Sequence, residues 1–493
     1  MQKFIALFVC AALLLTAVGC EKEKPKDSSD ISSHVIDETG DCLTDHIHHD
    51  ETDSTVTDGS SETKTESDKP TGNSNATSSS AGGNKKPQSG TAANDAYCTG
   101  GAATEEITIT GKVPTQQNQQ KVEVVTPPNT NHTPISADKF YQYSCLDANK
   151  LKVYNKIIKA ISETKNVIDV SEFGITSSEV FAILQYVLTD HPEYFYVSRS
   201  YRAASDSVTN KAVVLFLYYT DGVTVDELDD NYKLVKTANR NTIKDHVEAV
   251  NKKTKEVLDT IDANLTDDEK VRLIHDYLVL NTTYDKAAAN ETPVFGKPMS
   301  QALNIYGTLC QKKAVCEGYA KAFMYLCRRA GINATTIAGT AKGSSHMWNT
   351  VQIENDWYLI DVTWADLDNG EMVNYGYYNL TASEMNTTHT PDGKTFVPSC
   401  TATKHSFKNT FAINVEGGTL SSNYKTVIDE AVIIHDNHIY LYFGSNMPSQ
   451  DFLISNIFAD DSPINSYIKE KGYNLKLVLS YGIVNKYVVL TFE

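Results

Sequence analysis

The 493-residue sequence contains no CxxC pair, no EF-hand-like run of ligands and no cluster of basic residues. Without a CxxC pair a structural metal site has little support, and the step from Cys310 to Cys316 matches no usual ligand spacing. A net charge of −18 with no basic cluster gives no support for nucleic-acid binding. We therefore expect no metal, no cofactor and no nucleic-acid partner.

An apolar run lies at the N-terminus. It is shorter than a membrane-spanning helix needs to be and is too poorly flanked to predict a stable membrane span. Lys3 precedes the apolar residues Phe4–Val18, and small residues lead to Cys20. This pattern resembles a bacterial lipoprotein signal, residues 1–20, in which Cys20 becomes the lipidated N-terminus. An ordinary secretory signal that happens to end in cysteine is the alternative. Either signal exports the protein, and lipid on Cys20 would anchor it to the outer face of the cytoplasmic membrane.

Residues 21–136 are predicted to be a disordered tether. They hold 19 acidic and 9 basic residues and a long run rich in Ser, Thr, Gly and Asn. Such a composition buries too little apolar surface to offset chain entropy. A short β-like patch, EEITITGKV, interrupts the tether. His46–Asp50, with Cys42 and His34 nearby, could bind a metal, but a solvated polar tract is the favoured interpretation.

Three folded parts are predicted after the tether. Residues 137–240 combine helical periodicity, a capping box at Thr176–Glu179 and an aromatic strand, which indicates a small α+β domain. Residues 241–390 are the predicted catalytic domain. Residues 391–493 contain several strand-like runs and form a predicted β-rich module.

Two histidines outside the main motifs, His191 and His275, are further candidates for site residues. His191 precedes a proline, so a role in a turn is favoured. His275 and Asp276 are neighbours on one predicted helix, where side chains diverge by about 100°, so we do not expect them to work as a pair.

Export makes disulfides chemically possible. Cys10 leaves with the signal, and seven further cysteines remain besides Cys20, so at least one thiol is unpaired. The pairing of five of them is left open by the sequence: Cys42, Cys98, Cys145, Cys310 and Cys400. Cys327 is expected to be a buried thiol.

Cys316 lies in the stretch KKAVCEGYAKAF, where helical spacing begins. Gly331 is a suitable end for that helix. A cysteine in the first helical turn faces free backbone N–H groups and the positive end of the helix dipole. Both favour a thiolate, so the position is typical of an activated nucleophile.

The segment Ser344–Trp364 reads as a β-hairpin with a two-residue turn at Glu354–Asn355. Ile353 then pairs with Asp356. The same register, extended away from the turn along both strands, predicts which residues of the two strands lie on the same face of the hairpin.

In that register Asp361 lies opposite Trp348, and His346 lies opposite Thr363. His346 and Asp361 become diagonal neighbours on one face, about 7–8 Å apart at the backbone. An imidazole and a carboxylate can meet across that distance. The pair supplies the base and the orienting group that a thiol nucleophile needs.

Together these motifs resemble the transglutaminase-like superfamily, whose fold is related to the papain-like cysteine peptidases. The resemblance covers about Leu265–Asn379 and includes AVCEGYA, G-x-x-H-x-W-N and W-Y-x-x-D-V-T-W in order. It implies that Cys316 is the nucleophile, His346 the general base and acid, and Asp361 the carboxylate that orients the histidine. Gly often directly precedes the family histidine; the sequence here has Lys342–Ser345, which we expect to alter only the loop.

The expected architecture is therefore α+β, with a transglutaminase-like, papain-like core. A helix carrying the cysteine packs on an antiparallel sheet carrying the histidine and the aspartate. A small α+β domain precedes this core, and a β-rich module follows it.

Three tryptophans of the hairpin, Trp348, Trp357 and Trp364, can wall the site or simply belong to the core. Trp348 and Trp364 are candidate substrate-binding residues. The Cys316 N–H is one candidate oxyanion donor, and Tyr306 is the candidate for a second.

Several functions fit such a constellation. The leading hypothesis is a cell-surface cysteine hydrolase that acts on peptide or protein amides through a thioester. If an amine replaces water as acceptor, the same acyl-enzyme gives a crosslinking transglutaminase. A catalytically silent binding or scaffold module is the hypothesis of another class. The expected partners are a protein or peptide substrate at the envelope and the membrane, through lipid on Cys20.

Overall fold

The computed structural model describes the following residues: 33–36, 102–109, 129–367, 372–416, 418–434, 436, 438–444, 448–453, 457–473, 477–484 and 487–492. The predicted signal, Cys20, the His46–Asp50 tract, Cys42 and Cys98 lie outside them. Within the described part of the chain, no helix is both long and apolar enough to cross a bilayer.

The α-helices of the described residues are α1 (Tyr141–Ser144), α2 (Ala148–Ser162), α3 (Ser177–Asp190), α4 (Arg240–Leu258), α5 (Asp267–Asn281), α6 (Cys316–Arg329), α7 (Val362–Ala365), α8 (Ala382–Met385), α9 (Phe407–Thr410), α10 (Tyr424–Ile433), α11 (Gln450–Leu453) and α12 (Pro463–Lys471).

The strands are β1 (Ser33–Ile36), β2 (Ala103–Ile109), β3 (Val167–Asp169), β4 (Val197–Asp206), β5 (Ala212–Tyr219), β6 (Glu227–Leu228), β7 (Leu234–Lys236), β8 (Thr283–Tyr284), β9 (Lys313–Ala314), β10 (Ala334–Ala341), β11 (Ser344–Ile353), β12 (Asp356–Ile360), β13 (His389–Pro391), β14 (Ala412–Glu416), β15 (Thr419–Leu420), β16 (His438–Tyr442), β17 (Leu477–Val484) and β18 (Tyr487–Phe492).

The first folded part packs α2 and α3 against a four-stranded sheet of order β2-β4-β5-β3. The predicted capping box at the start of α3 is present, because Thr176 and Glu179 exchange side-chain and backbone hydrogen bonds. Burial of Val153, Ile157 and Ile161 along α2 shows the apolar face that the sequence periodicity indicates. This part is α+β, as the sequence predicts.

Two segments of the predicted tether are strands in the structure. β2 pairs in parallel with β4, with Ala103 opposite Ser200, and β1 pairs in parallel with β17. The predicted β-like patch EEITITGKV overlaps β2, whereas β1 was not predicted. The partners β4 and β17 lie far away in sequence, so local composition could not reveal the pairing. The other predicted domain boundaries stay predictions.

The central part carries the Cys316 helix on an antiparallel sheet. This sheet has the order β12-β11-β10-β13, and α6 packs on β10 and β11. A second capping box, Thr266 with Glu269, begins α5 as predicted. The buried side chains of α5, α6 and the sheet form one continuous apolar core. The mixed α+β fold class predicted from the sequence is confirmed.

The C-terminal part is β-rich, as predicted. Its strands join a six-stranded sheet of order β1-β17-β18-β16-β14-β15. Helices α10 and α12 contribute buried apolar side chains to its core, among them Ile428 and Ile468.

No disulfide joins the cysteines of the described residues, which are Cys145, Cys310, Cys316, Cys327 and Cys400. Cys327 is buried, as the sequence predicts, and burial raises the pKa of its thiol well above the ordinary value.

Two buried arginines tie the flanking parts to the core. Arg328 of α6 donates to the Asp190 carboxylate at 3.2 Å and to its carbonyl at 2.5 Å. Arg272 of α5 pairs with Asp436 of the C-terminal part and lies under four aromatic rings, those of Tyr375, Phe407, Phe411 and Tyr440. Each guanidinium is almost fully buried, so its partners must stay in place.

Arg272→Ala is expected to lower the free energy of unfolding by about 3 kcal/mol, because it removes the guanidinium from the Asp436 carboxylate, which keeps its contacts with His438, and empties the space among the rings. Urea unfolding followed by fluorescence measures the change. The exposed Lys244, which pairs with Glu248 at 3.7 Å, supplies the control. Lys244→Ala is expected to change stability by less than about 0.5 kcal/mol. An Arg272→Ala effect as small as that of the control would contradict the bracing role.

Candidate active site

Cys316 is the first residue of α6, as the sequence predicts. Val315 is the extended N-cap, and its N–H donates to the Ala302 carbonyl at 2.9 Å. A Cβ on Gly318 would lie 2.3 Å from that same carbonyl oxygen. The loop that contains Ala302 can therefore approach the first turn of α6 only because residue 318 is glycine.

His346 is delivered by a tight hairpin between β10 and β11. Lys342 and Gly343 form its turn, both with positive φ, of 46° and 83°. Such a two-residue turn matches the twist of the flanking strands. Lys342–Ser345 thus forms this turn and the first two residues of β11, and His346 lies opposite Gly339 of β10.

The next hairpin has the register that the sequence predicts, with Ile353 opposite Asp356. The ladder ends at Asn349 and Ile360, three pairs short of the expected pairing of His346 with Thr363. Asp361 does not lie opposite Trp348; it is the N-cap of α7.

The predicted pairing of His346 with Thr363 is also wrong, because Thr363 belongs to α7. The chain leaves the strand at Asp361, whose side chain accepts hydrogen bonds from the Thr363 and Trp364 N–H groups. An aspartate is a favoured N-cap because its side chain accepts these bonds. The chain therefore begins a helix at Asp361 and does not continue the strand.

The predicted meeting of His346 with Asp361 nevertheless occurs. His346 Nε2 lies 2.7 Å from Asp361 Oδ2, and both side chains are buried. Burial alone raises the pKa of the Asp361 carboxyl. The charges and hydrogen bonds of His346 and His389 outweigh burial and hold that pKa well below its usual range.

His346 is joined to Cys316 as well as to Asp361. Because Nε2 faces the carboxylate, Nδ1 is the ring nitrogen left to face the thiol. Burial lowers the pKa of His346, but Asp361 and the hydrogen bond with Cys316 outweigh it and raise that pKa to about 10. An imidazolium beside the Cys316 side chain therefore prevails at neutral pH.

Aromatic rings enclose the histidine. Trp348 stacks on His346 with 6.2 Å between ring centroids, and Trp364 lies 5.5 Å from it. Trp348 is buried in the core, whereas Trp364 is half-buried. Trp357 lies elsewhere, against Tyr141 at 5.2 Å. Two of the three tryptophans thus wall the histidine, and one of these two also belongs to the core.

Tyr306 occupies a different environment. Its ring stacks on His246 at 4.0 Å and on Phe195 at 6.0 Å, at the edge of the main core. These contacts give no support to a role as an oxyanion donor.

His191, as predicted, serves a turn: it caps the end of α3, and its Nδ1 lies 2.8 Å from Glu193. The side chains of His275 and Asp276 meet instead of diverging, since His275 Nδ1 lies 2.8 Å from Asp276 Oδ1. A structural role, which the sequence interpretation favoured, fits their surroundings. The Tyr375 hydroxyl donates to the same carboxylate, and the His275 ring is fully buried against aromatic rings. The rotamers of the two side chains therefore bring them together although their Cα–Cβ bonds diverge on the helix.

His389 was missed by sequence reasoning. It lies on the edge strand β13, where it pairs with Ala341 of β10, and its Nε2 lies 3.1 Å from Asp361 Oδ2. No motif or spacing marks it in the sequence, because only the pairing of β13 with β10 brings it to Asp361.

His346, Asp361 and His389 offer ligand atoms that lie within 4.8 Å of one another, and so form a group able to hold a metal ion within the described residues. The same atoms are already joined by hydrogen bonds of 2.7 and 3.1 Å. The group is therefore fully explained without a metal.

A cleft runs between the first folded part and the core. Ser198, Arg199 and Tyr201 of β4 line one side, and Lys321 of α6 and Met347 of β11 line the other. Met347 belongs to a small buried apolar cluster that also contains Cys316. The cleft is also lined by Glu317, the residue that follows Cys316.

An ion pair crosses this cleft next to the cysteine. Glu317 is buried and pairs with Arg199 and with Lys321, the latter at 2.7 Å. Burial raises the pKa of Glu317, but the two cations outweigh it and lower that pKa below the usual value. The first folded part therefore contacts the residue that follows Cys316.

The ion pair of His346 and Asp361 predicts a pH-dependent stability. Because the pKa of His346 rises from 6.5 to about 10 on folding, its contribution is complete below about pH 6.5 and is lost as pH rises through about 10. The lowered pKa of Asp361 gives a contribution that is present above about pH 4 and is lost in acid.

His346→Gln should therefore destabilise the protein most between about pH 4 and 6.5, with a difference that shrinks toward pH 10. Unfolding free energies of both proteins, measured across this range, test the expectation. A difference that is constant with pH would show that the two side chains are not charged together.

Comparison with known proteins identifies one part of the chain. Residues 253–362 match the model of the transglutaminase-like superfamily. Kyphoscoliosis peptidase of Homo sapiens is 34% identical over 121 residues, and that of Mus musculus is 32% identical. Each alignment covers 22% of this chain and 17% of the relative, so the chain spans less than a fifth of either relative.

A solved structure described as a TGase shares 19% identity, with a TM-score of 0.20 over 26% of this chain and 34% of that one. The segment matched by the family model contains Cys316, His346 and Asp361, whereas His389 lies beyond it. The chain therefore carries a transglutaminase-like superfamily domain within a mixed α+β fold.

Proposed function

We propose that the protein is a cysteine-dependent acyl-transfer enzyme that acts on peptide or protein amides. The observation that carries this proposal is the buried chain of hydrogen bonds from Cys316 through His346 to Asp361, placed at a helix start. It combines a nucleophile, a base and a group that orients the base. The peptidase name of the sequence relatives and the superfamily match support the same class.

The proposed reaction begins with attack of the Cys316 sulfur on an amide carbonyl. The Cys316 N–H, in the first turn of α6, stabilises the developing oxyanion. His346 then gives its proton to the leaving amine, so the amine departs neutral and a thioester remains. His346 next takes a proton from the incoming acceptor, and the thioester is cleaved.

The acceptor decides between two activities. Water gives a peptidase or amidase, and a lysine amine gives a crosslinking transglutaminase. We favour hydrolysis, because water is always present. A silent scaffold is disfavoured, because Cys316, His346 and Asp361 are all present, whereas the loss of any one of them would have favoured it.

The proposed setting is the cell surface. The lipoprotein-like pattern that ends at Cys20 would anchor the chain to the outer face of the bacterial cytoplasmic membrane. The cleft would then face protein or peptide substrates of the envelope.

Thiol labelling tests the activation of Cys316. At pH 6, iodoacetamide should modify Cys316 faster than Cys327, because His346 stabilises a thiolate at the first site while burial raises the pKa of the second. Peptide mapping by mass spectrometry measures both rates in the folded protein. His346→Ala is the control and should remove the difference. Equal, slow labelling of both thiols in the wild type would refute activation.

Substrate turnover separates the activities. The purified protein is incubated with a glutamine-containing peptide and a labelled amine, beside a Cys316→Ala control. Backbone cleavage supports a peptidase, ammonia release without incorporation supports an amidase, and incorporation supports a transglutaminase. Cys316→Ala should lower any of these rates at least about 1,000-fold. A folded wild type that turns over no amide would support the scaffold instead.

A further inference from the structure

One oxygen of the Asp361 carboxylate accepts hydrogen bonds from two imidazole rings. His346 Nε2 lies 2.7 Å from Oδ2, and His389 Nε2 lies 3.1 Å from the same atom. The other oxygen, Oδ1, accepts from the backbone N–H groups of Thr363 and Trp364 at 2.9 and 3.2 Å. Four donors thus surround one buried carboxylate.

Both ring nitrogens of His389 have partners. An ionised carboxylate can only accept, so the Nε2 N–H of His389 donates to Asp361. Nδ1 lies 2.8 Å from the hydroxyl of Thr388, and that hydroxyl also lies 3.3 Å from the Met385 carbonyl oxygen.

The surroundings of His389 hold its ring in place. Trp348 lies edge-on to it at 4.9 Å, Trp364 lies 4.6 Å away and Tyr377 lies 5.9 Å away. His389 itself is only 1% exposed. A ring packed in this way cannot leave the carboxylate without disturbing several neighbours.

The charged and titratable groups near His389 are few. Asp361 and His346 face it from α7 and β11, and Tyr377 faces it from the segment after α7. Lys342, at the end of β10, lies over Trp364 at 5.2 Å. Asp361 is the one member of this set that accepts a hydrogen bond from His389.

We propose that His389 is a positioning residue for Asp361 and extends the triad by one member. The two backbone N–H groups hold Oδ1, and His389 holds Oδ2, so the carboxylate plane is fixed toward His346. Without the second donor on Oδ2 the carboxylate can rotate away, and the His346 imidazolium loses part of its stabilisation. The catalytic consequence rests on the proposed function, but the positioning itself does not.

Two substitutions separate the hydrogen bond from the packing. His389→Phe keeps a ring between the tryptophans and removes the donor, whereas His389→Gln keeps an N–H donor. With His389→Phe we expect labelling of Cys316 by iodoacetamide at pH 6 to slow about tenfold, as loss of an orienting partner commonly does. We expect the pKa of His346 to fall from about 10 by about one unit. His389→Gln should stay within about threefold of the wild-type rate.

The measurements are peptide mapping of labelled Cys316 and NMR titration of the histidine rings, with His346→Gln to assign the His346 signal. Circular dichroism verifies folding. A His389→Phe protein with wild-type labelling and titration would overturn the proposal, and so would a folded His389→Gln protein as impaired as His389→Phe. Neither readout needs a substrate, so a wild type that turns over no amide would refute the enzyme and leave this inference standing.

Discussion

The buried carboxylate of Asp361 is the constraint on which the site depends. An ionised group without solvent contact is stable only when donors surround it. Here two imidazoles and two backbone N–H groups meet that demand. The four donors come from three segments: the hairpin strand β11, the edge strand β13 and the first turn of α7, which supplies both N–H groups. The geometry of the histidine is thus set by the folding of three separate segments.

The flanking parts of the chain act on the site through charge as well as packing. Arg199 of the first part pairs with Glu317, directly after Cys316, and Arg328 of the same helix pairs with Asp190. Helix α6 is therefore held at both ends by the first folded part. The cleft that leads toward the thiol lies between these same elements, so its walls belong to both. Substrate selection, in the proposed function, would reside in that shared wall.

Much of the local structure could be predicted from the sequence, because its causes are local. The capping boxes at Thr176 and Thr266 depend on residues three positions apart, and the turn at Glu354–Asn355 set the hairpin register. The predictions failed where two local preferences competed at the same residue, or where a side-chain rotamer changed the expected direction. Asp361 caps a helix instead of continuing the strand, and Asp276 reaches His275 by side-chain rotation.

The sequence by itself determined the helix start at Cys316, the strands that bring His346 and Asp361 to one side, and the α+β class. These follow from periodicity and turn chemistry, which act over a few residues. Only the tertiary structure decided that β2 pairs with β4, that Arg199 meets Glu317, and that His389 reaches Asp361. Such contacts join residues that are tens of positions apart or more. Tertiary packing brings these residues together, and a pattern within a few neighbouring residues does not predict it.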